Sequence, residues 1–286
     1  MISVRSGIKK LLSEGTKAKY NYLKSKIRKR YRSVRVGKSM TNILGQQFSR
    51  SRKFIEIDIT YSCNLSCESC NRSCSQARSK EHLDIDQIEK FIQASVDQRI
   101  KWQRIRLLGG EPSLHPNFFE ILDLLKNYRA SHSKDTILTI TTNGFGKRVN
   151  SVLDRIQDDI LIVNTCKISF DPATFYSFNL APLDLPEYSN CDYSNGCDVI
   201  RDCGIGLTPF GYYPCGVSGS IDRVFGFNLG RKELPEKDDD MLDMLRVFCR
   251  YCGRFKYNRS SDTFVSESWE EAYRKYKVQK PALSQY

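Results

Sequence analysis

Three cysteines carry the strongest chemical signal in the chain: Cys63-Asn-Leu-Ser-Cys67-Glu-Ser-Cys70. Thiolates are soft ligands, and three on one short loop can hold three irons of a cubane [4Fe–4S] cluster. The fourth iron is then left open to a substrate or cofactor. Zinc is the competing reading, because its sites use similar short spacings and usually take four ligands, for which Cys74 is close by. If the fourth iron stays open, Cys74 is a bystander thiol.

A second group, Cys191, Cys197, Cys203, Cys215, Cys249 and Cys252, lies in the C-terminal third. Ile205–Thr208 and Tyr212–Pro214 flank Pro209-Phe210-Gly211 and read as a β-hairpin, with Cys203 and Cys215 at its open ends. Cys249-Arg-Tyr-Cys252 ends the following helical stretch. Two cysteines from the hairpin and two from the helix end can close around a second four-thiolate cluster, with four-cysteine zinc as the rival. Cys203 is the expected first ligand, since it faces Cys215 across the hairpin, and Cys197 is the alternate.

The elements that must position these thiols alternate strand and helix. Phe54–Thr60 alternates apolar and polar residues, as a strand does. Asp84, with Gln87 in the capping-box position, opens a helix carrying Ile85, Ile88, Phe91 and Ile92. A strand at Ile105–Leu108 runs into Gly109-Gly110-Glu111-Pro112, and Pro116 opens the next helix with Phe119, Leu122 and Leu125 inward. A strand at Thr136–Thr142 ends in Asn143-Gly144; a helix follows with Val149, Val152, Leu153 and Ile156 on one face, then strands at Ile160–Val163 and Lys167–Phe170. Such repeats imply a parallel sheet with right-handed crossovers, whose ligands bind at the carboxyl ends of the strands. The first cysteine loop, the Gly-Gly-Glu-Pro turn and the Thr-Asn-Gly turn all fall there. Further on, helices are expected at 238–250 and from Ser268, where Glu271 takes the capping-box position.

Taken together, the cysteine run, Gly109-Gly110-Glu111-Pro112 and Thr142-Asn143-Gly144 resemble the signature of the radical S-adenosylmethionine (SAM) superfamily. The resemblance implies an α/β fold built as a partial (β/α) barrel. It also implies that SAM sits on the open iron of a cluster held by Cys63, Cys67 and Cys70, and is cleaved reductively to methionine and a 5′-deoxyadenosyl radical. Gly109, Gly110, Glu111, Pro112, Thr142, Asn143 and Ser169 are the SAM contacts it implies, with Glu111 helping to hold the amino group. The Gly-x-x-Pro-Cys ending of the hairpin is similar to the twitch form of the SPASM domain, which implies an auxiliary [4Fe–4S] cluster. In that family the spacing before the hairpin glycine fits Cys197 better than Cys203.

Residues 1–53 read as a basic helical arm with its linker, 54–190 as the core, and 191–286 as the small auxiliary-cluster unit with a hairpin and C-terminal helix. The core has fewer strand–helix units than the family's usual six. The segment 166–196 is expected across the strand ends, where Ser169, Asp171, Tyr176, Asn179, Asp184, Tyr188 and Asn190 could meet a polar substrate. Cys166 or Cys191 could return a hydrogen atom to a substrate radical. The expected substrate is a small polar molecule, sugar-like or nucleotide-sugar-like, undergoing dehydrogenation or epimerisation, with peptide or RNA modification as alternatives. A non-catalytic iron–sulfur or zinc protein is the rival outside enzymes. A flavodoxin or ferredoxin would be the reductant.

Charge and hydropathy bound the remaining possibilities. The net charge of +12 resolves into +15 in residues 1–53 and −3 in the rest, so a wholly basic nucleic-acid-binding domain is excluded. No apolar run is long enough to span a membrane, and eleven cysteines, an odd number, argue against a disulfide framework. A cytoplasmic location is expected, peripheral at a membrane if the arm binds one. In the arm, Ile8, Leu11 and Leu12 make a short stripe, and Tyr20, Leu23, Ile27, Tyr31 and Val34 recur on one helix face. That face can pack on the body, lie on an anionic membrane, or accompany cations that bind a polyanion.

Overall fold

The computed structural model describes residues 14–165, 177–257 and 265–286 and builds them around one mixed sheet. Its strands are β1 (Phe54–Thr60), β2 (Arg104–Gly109), β3 (Ile137–Thr142), β4 (Leu161–Asn164), β5 (Ile205–Thr208) and β6 (Gly211–Tyr213). They lie in the order β4-β3-β2-β1-β5-β6. The first five are parallel neighbours, and β6 returns antiparallel to β5. Among the described residues the sheet is open, with β4 and β6 at its edges. The strand expected at Lys167–Phe170 lies outside the described residues.

β1 is central because its sequence permits burial on both faces. Ile55, Ile57 and Ile59 are fully buried on one side, and Glu56, Asp58 and Thr60 on the other. The isoleucines share a core with Ile105, Leu107, Leu138 and Ile140 of the neighbouring strands. Helices cover the sheet between strands: α3 (Ile85–Asp97), α4 (Phe118–His132) and α5 (Lys147–Leu153). The capping box that opens α3 is formed, with the Asp84 N–H donating to Gln87 Oε1 at 2.9 Å. Phe91, Ile121, Leu122 and Leu125 fill the helix side of the core.

The hairpin forms where the residues predict it, but it joins the main sheet. Ile55, Glu56 and Ile57 of β1 pair with Ile205, Gly206 and Leu207 of β5. Strands from both sides of residue 190 therefore share one sheet. Short α6 (Asp198–Asp202) precedes β5, and α7 (Gly216–Phe225) follows β6. α7, which carries Gly216 and Gly219, has no counterpart in the sequence reading. Packing is what requires them: a Cβ on Gly216 would strike the Arg72 guanidinium, and one on Gly219 would press on Thr208 Cγ2.

α8 (Leu242–Phe248) and α9 (Glu267–Val278) complete the chain's C-terminal third. Trp269 of α9 packs on Phe178 and Phe225, each at 4.9 Å between ring centroids. The helix begins one residue before Ser268 with Ser266 as its N-cap, so the expected Ser268–Glu271 capping box is not made. Ser268 instead donates its N–H to Asp184 at 3.0 Å, and Glu271 pairs with Arg274 and Lys275.

The basic arm supplies α1 (Glu14–Arg35) and α2 (Lys38–Leu44). Residues expected to be a patternless linker are thus partly helical, and Arg50 is buried with its guanidinium on the carbonyls of Glu236 and Asp239. Among the described residues, α1 is tied down at its C-terminal end. Arg35 donates to the Gly45 carbonyl at 2.8 Å, and Arg32, Arg35 and Val36 are buried. The stripe of Tyr20, Leu23, Ile27, Tyr31 and Val34 does not pack on the body; all five are exposed. Ile8, Leu11 and Leu12 lie outside the described residues.

Candidate functional site

A cavity of about 430 Å³ opens at the carboxyl ends of β1, β2 and β3. Cys63, Cys67 and Cys70 line it, together with Gly109, Gly110, Thr142 and Asn143. The loop after β1 is braced from several directions. Ser75 Oγ and Gln76 Nε2 both donate to the Cys67 carbonyl, at 2.6 and 2.9 Å. Asn143 Nδ2 donates to Asn64 Oδ1 at 2.9 Å and lies 3.9 Å from Cys63 Sγ. Burial pushes the Cys63 thiol above its ordinary value, and the neighbouring charges of Cys70 and Cys67 add to this. Thiols crowded this way are relieved when they deprotonate onto a cationic centre, so the donor set fits an iron–sulfur cluster. Cys74 is buried beside Cys70 and does not line the cavity.

The Gly-Gly-Glu-Pro turn is fixed by backbone. Gly110 N–H donates to the Thr60 carbonyl at 2.7 Å, and Glu111 N–H to the Ser62 carbonyl at 2.8 Å. A Cβ on Gly109 or Gly110 would strike those same carbonyls, so glycine is what lets β2 approach the strand leading into Cys63. Glu111 is held by partners within the protein. It is fully buried, lies outside the cavity lining, and accepts from Ser113 Oγ (2.7 Å), Thr142 Oγ1 (2.9 Å) and Asn143 N–H (2.8 Å). Its carboxylate is a clamp between the ends of β2 and β3, while Gly109 and Gly110 face the cavity. Pro112 is buried behind the turn and does not line the cavity either.

The opposite wall is charged, and the residue reading missed it. Glu56 and Arg106 are register partners on β1 and β2 and form an ion pair at 2.8 Å. Arg72, two residues past Cys70, reaches back to Glu56 (3.0 Å) and Asp58 (3.1 Å). Burial would raise Glu56, but Arg72 and Arg106 outweigh it and hold the carboxyl below its ordinary range. Arg106 Nε is buried without a partner. The available signal was two acids inside β1, a strand whose position demands burial on both faces.

Cys203 belongs to this wall. It lines the large cavity beside Glu56, and burial together with Glu56 pushes its thiol up to about 12. The four thiols that line a second, buried void are Cys197, Cys215, Cys249 and Cys252. Burial first, and then the charges of Cys197, Cys252 and Cys215, raise the Cys249 thiol well above its ordinary value. Cys197, the alternate, rather than Cys203 shares this void with the other three thiols. α6 separates the two cysteines, with Cys197 at its N-cap and Cys203 at its C-cap, so they face different cavities. Val199, Val217 and Arg254 line both, forming a thin partition. Among the described residues no three His, Cys, Asp or Glu side chains converge on a single-ion position.

The segment expected over the strand ends runs elsewhere where it is described. Asp184 caps α9 through Ser268, Tyr188 is buried against Tyr257 at 4.6 Å, and Asn179 is buried with its carbonyl accepting from Ser266 N–H. Asn190 gives its carbonyl to Lys38 N–H, and Cys191 is buried in a bridge with Gly37. None of these lines the large cavity. They pack under α9 and the arm because those elements need partners. Cys166, Ser169, Asp171 and Tyr176 lie outside the described residues.

The chain is similar in sequence to known proteins. Curated relatives include GTP 3′,8-cyclase of Helicobacter pylori, 28% identical over 132 residues, which are 41% of this chain and 39% of that protein. GTP 3′,8-cyclase of Aliarcobacter butzleri is 31% identical over 127 residues, 39% of this chain and 38% of the other. The chain thus spans about two fifths of the length of these relatives. The crystal structure of BtrN in complex with AdoMet and 2-DOIA aligns at a TM-score of 0.41 with 12% identity, covering 77% of this chain and 100% of that one. The radical SAM superfamily model matches residues 57–214, from inside β1 through the hairpin. With the three thiols, the glycine turn and the Thr-Asn-Gly turn around one cavity, the chain belongs to the radical SAM superfamily.

Proposed function

We propose that this chain is a radical SAM enzyme that removes a hydrogen atom from a polar small molecule, sugar-like or nucleotide-sugar-like, and carries a second [4Fe–4S] cluster on Cys197, Cys215, Cys249 and Cys252. When bound at Cys63, Cys67 and Cys70, the first cluster and SAM supply a 5′-deoxyadenosyl radical. The observation that carries the reading is that the three thiols and the charged wall share one cavity. Gly109, Gly110, Thr142 and Asn143 shape the side next to the thiols. Glu56, held ionised, accepts a hydrogen bond from a substrate hydroxyl or amine, and Arg106 with Arg254 offers guanidinium N–H groups to an anionic part. The relatives' name, GTP 3′,8-cyclase, supports a nucleotide-bearing substrate.

Two outcomes follow from what borders the cavity. A cluster held by Cys197, Cys215, Cys249 and Cys252 would lie behind the Val199–Val217–Arg254 partition and would supply an acceptor for the second electron of a dehydrogenation. Return of a hydrogen atom from the Cys203 thiol would give epimerisation and leave a thiyl radical, which one further electron from the reductant and one proton restore to the thiol; this role was expected of Cys166 or Cys191. A flavodoxin or ferredoxin supplies the electron that starts each SAM cleavage. The test is anaerobic reconstitution with iron, sulfide, dithionite and SAM, followed by deuterated candidate sugars and nucleotide sugars. We expect about eight irons per chain, about half that number for Cys197→Ala and full loading for Cys203→Ala. Deuterium should appear in 5′-deoxyadenosine. Deuterium arriving from a peptide and from no sugar would overturn the substrate class, and a zinc-loaded, colourless protein would overturn the clusters.

A further inference from the structure

We propose that the free face of α1 is a docking surface for anionic phospholipid membranes, with the helix lying in the plane of the headgroups. Tyr20, Leu23, Ile27, Tyr31 and Val34 form one stripe along four turns, and each is between 54% and 61% exposed. An amphipathic helix ordinarily turns such a stripe to its own core. Here the body is packed on a different side of the helix. Arg32, about 140° around the helix from the centre of the stripe, is buried, Arg35 on its border is buried near the C-terminal end, and every side chain from Lys19 to Arg30 stays exposed.

The charges around the stripe select its occupant. At about 100° per residue, Lys19, Lys26 and Arg30 fall along one border of the stripe and Lys24 and Arg28 along the other. Their ammonium and guanidinium heads can reach anionic headgroups while the stripe enters the acyl boundary, the arrangement of an interfacial helix. An RNA or other polyanion would use the cations and leave the apolar stripe in water. A second copy of the helix would cover the stripe, but only by setting cations against cations. Glu14 is the only acid in residues 1–53, so nothing in the arm can pair with them. Lipid satisfies both faces at once. The anchoring at Arg32 and Arg35 makes the helix a fixed mount that holds the stripe outward before any membrane arrives.

The test uses the full chain, reconstituted with iron, and sedimentation with vesicles of phosphatidylcholine containing about 30 mol% phosphatidylglycerol. We expect binding to these vesicles, weak binding to pure phosphatidylcholine, and loss of about tenfold or more in affinity for Leu23→Glu/Ile27→Glu. Both side chains are exposed, so that variant should keep wild-type helicity, iron content and Tm. An Ile27→Trp variant should show a blue-shifted emission on phosphatidylglycerol vesicles. The proposal is overturned if wild-type protein ignores the anionic vesicles, or if the double variant binds them equally well. It is also overturned if a single-stranded RNA competes the protein off vesicles and binds both forms alike, which would identify a polyanion site. Dimerisation abolished by the double variant, without vesicle binding, would identify a second copy.

Discussion

Glu111 is a buried carboxylate whose hydrogen-bond partners all belong to the protein. It is sealed beneath the cavity and receives hydrogen bonds from Ser113, Thr142 and Asn143, so it locks together two strand ends that must stay in register. Glu111→Gln keeps the shape but turns an amide N–H₂ toward donors. A loss of about 2–3 kcal/mol is expected, read as a lower midpoint in urea unfolding. SAM cleavage should fall further than stability accounts for, because Asn143 then loses its fixed position beside Cys63. A variant with wild-type stability and turnover would refute the clamp. The three thiols and the paired glycines were legible in the residues because their spacing alone states their chemistry. The clamp was not, since a buried acid and a ligand-binding acid look the same in a sequence.

At the level of elements, His115 joins two of them. Its Nε2 lies 2.9 Å from the Leu83 carbonyl ahead of α3, and its Nδ1 accepts from Asn117 N–H at the start of α4. Accepting at Nδ1 requires a neutral ring. Burial is the main cause that holds its pKa below the ordinary value, and His82 nearby adds to it. The unfolded chain therefore takes up a proton that the folded one refuses. Stability should fall as pH drops below about 6.5, until the depressed folded-state value is passed. Urea midpoints measured between about pH 5 and 7 should show this slope, flattened in His115→Gln; an unchanged slope would exclude His115 as its source. Strands and helices through β4 were readable from periodicity. The partnership of β5 with β1 was not, because a parallel pairing between distant segments leaves no local pattern. Cys197 and Cys203 were ambiguous for a related reason: only the direction of α6 decides which cavity each one faces.

For the molecule as a whole, the charge separates mounting from chemistry. Side chains from Lys19 to Arg30 are all exposed, whereas Arg32, Arg35 and Val36 are built into the body. Trimming the chain to begin at Tyr31 should leave Tm within about 2 °C and iron loading unchanged. Extending the trim through Val36 should lower Tm clearly. Equal losses for the two trims would mean that the exposed part of α1 carries stability. The C-terminal third is bound in differently, through buried Arg223, which donates to the carbonyls of Ala77 and Arg72 and to the Tyr276 hydroxyl. It ties the end of the first cysteine loop to α7 and α9.

The seating of β5 against β1 also orders events in time. During synthesis the loop bearing Cys63, Cys67 and Cys70 emerges early, yet the strand beneath it stays an unpaired edge until residues 205–208 have been made. Pairing between such distant segments is slow to form. Through that interval the early thiols stand open to stray metals and oxidants, and Arg72 lacks the covering of Gly216 and Arg223. Iron delivery is therefore expected to follow completion of the chain. Growth conditions that slow that last closure should yield empty protein even where iron is plentiful.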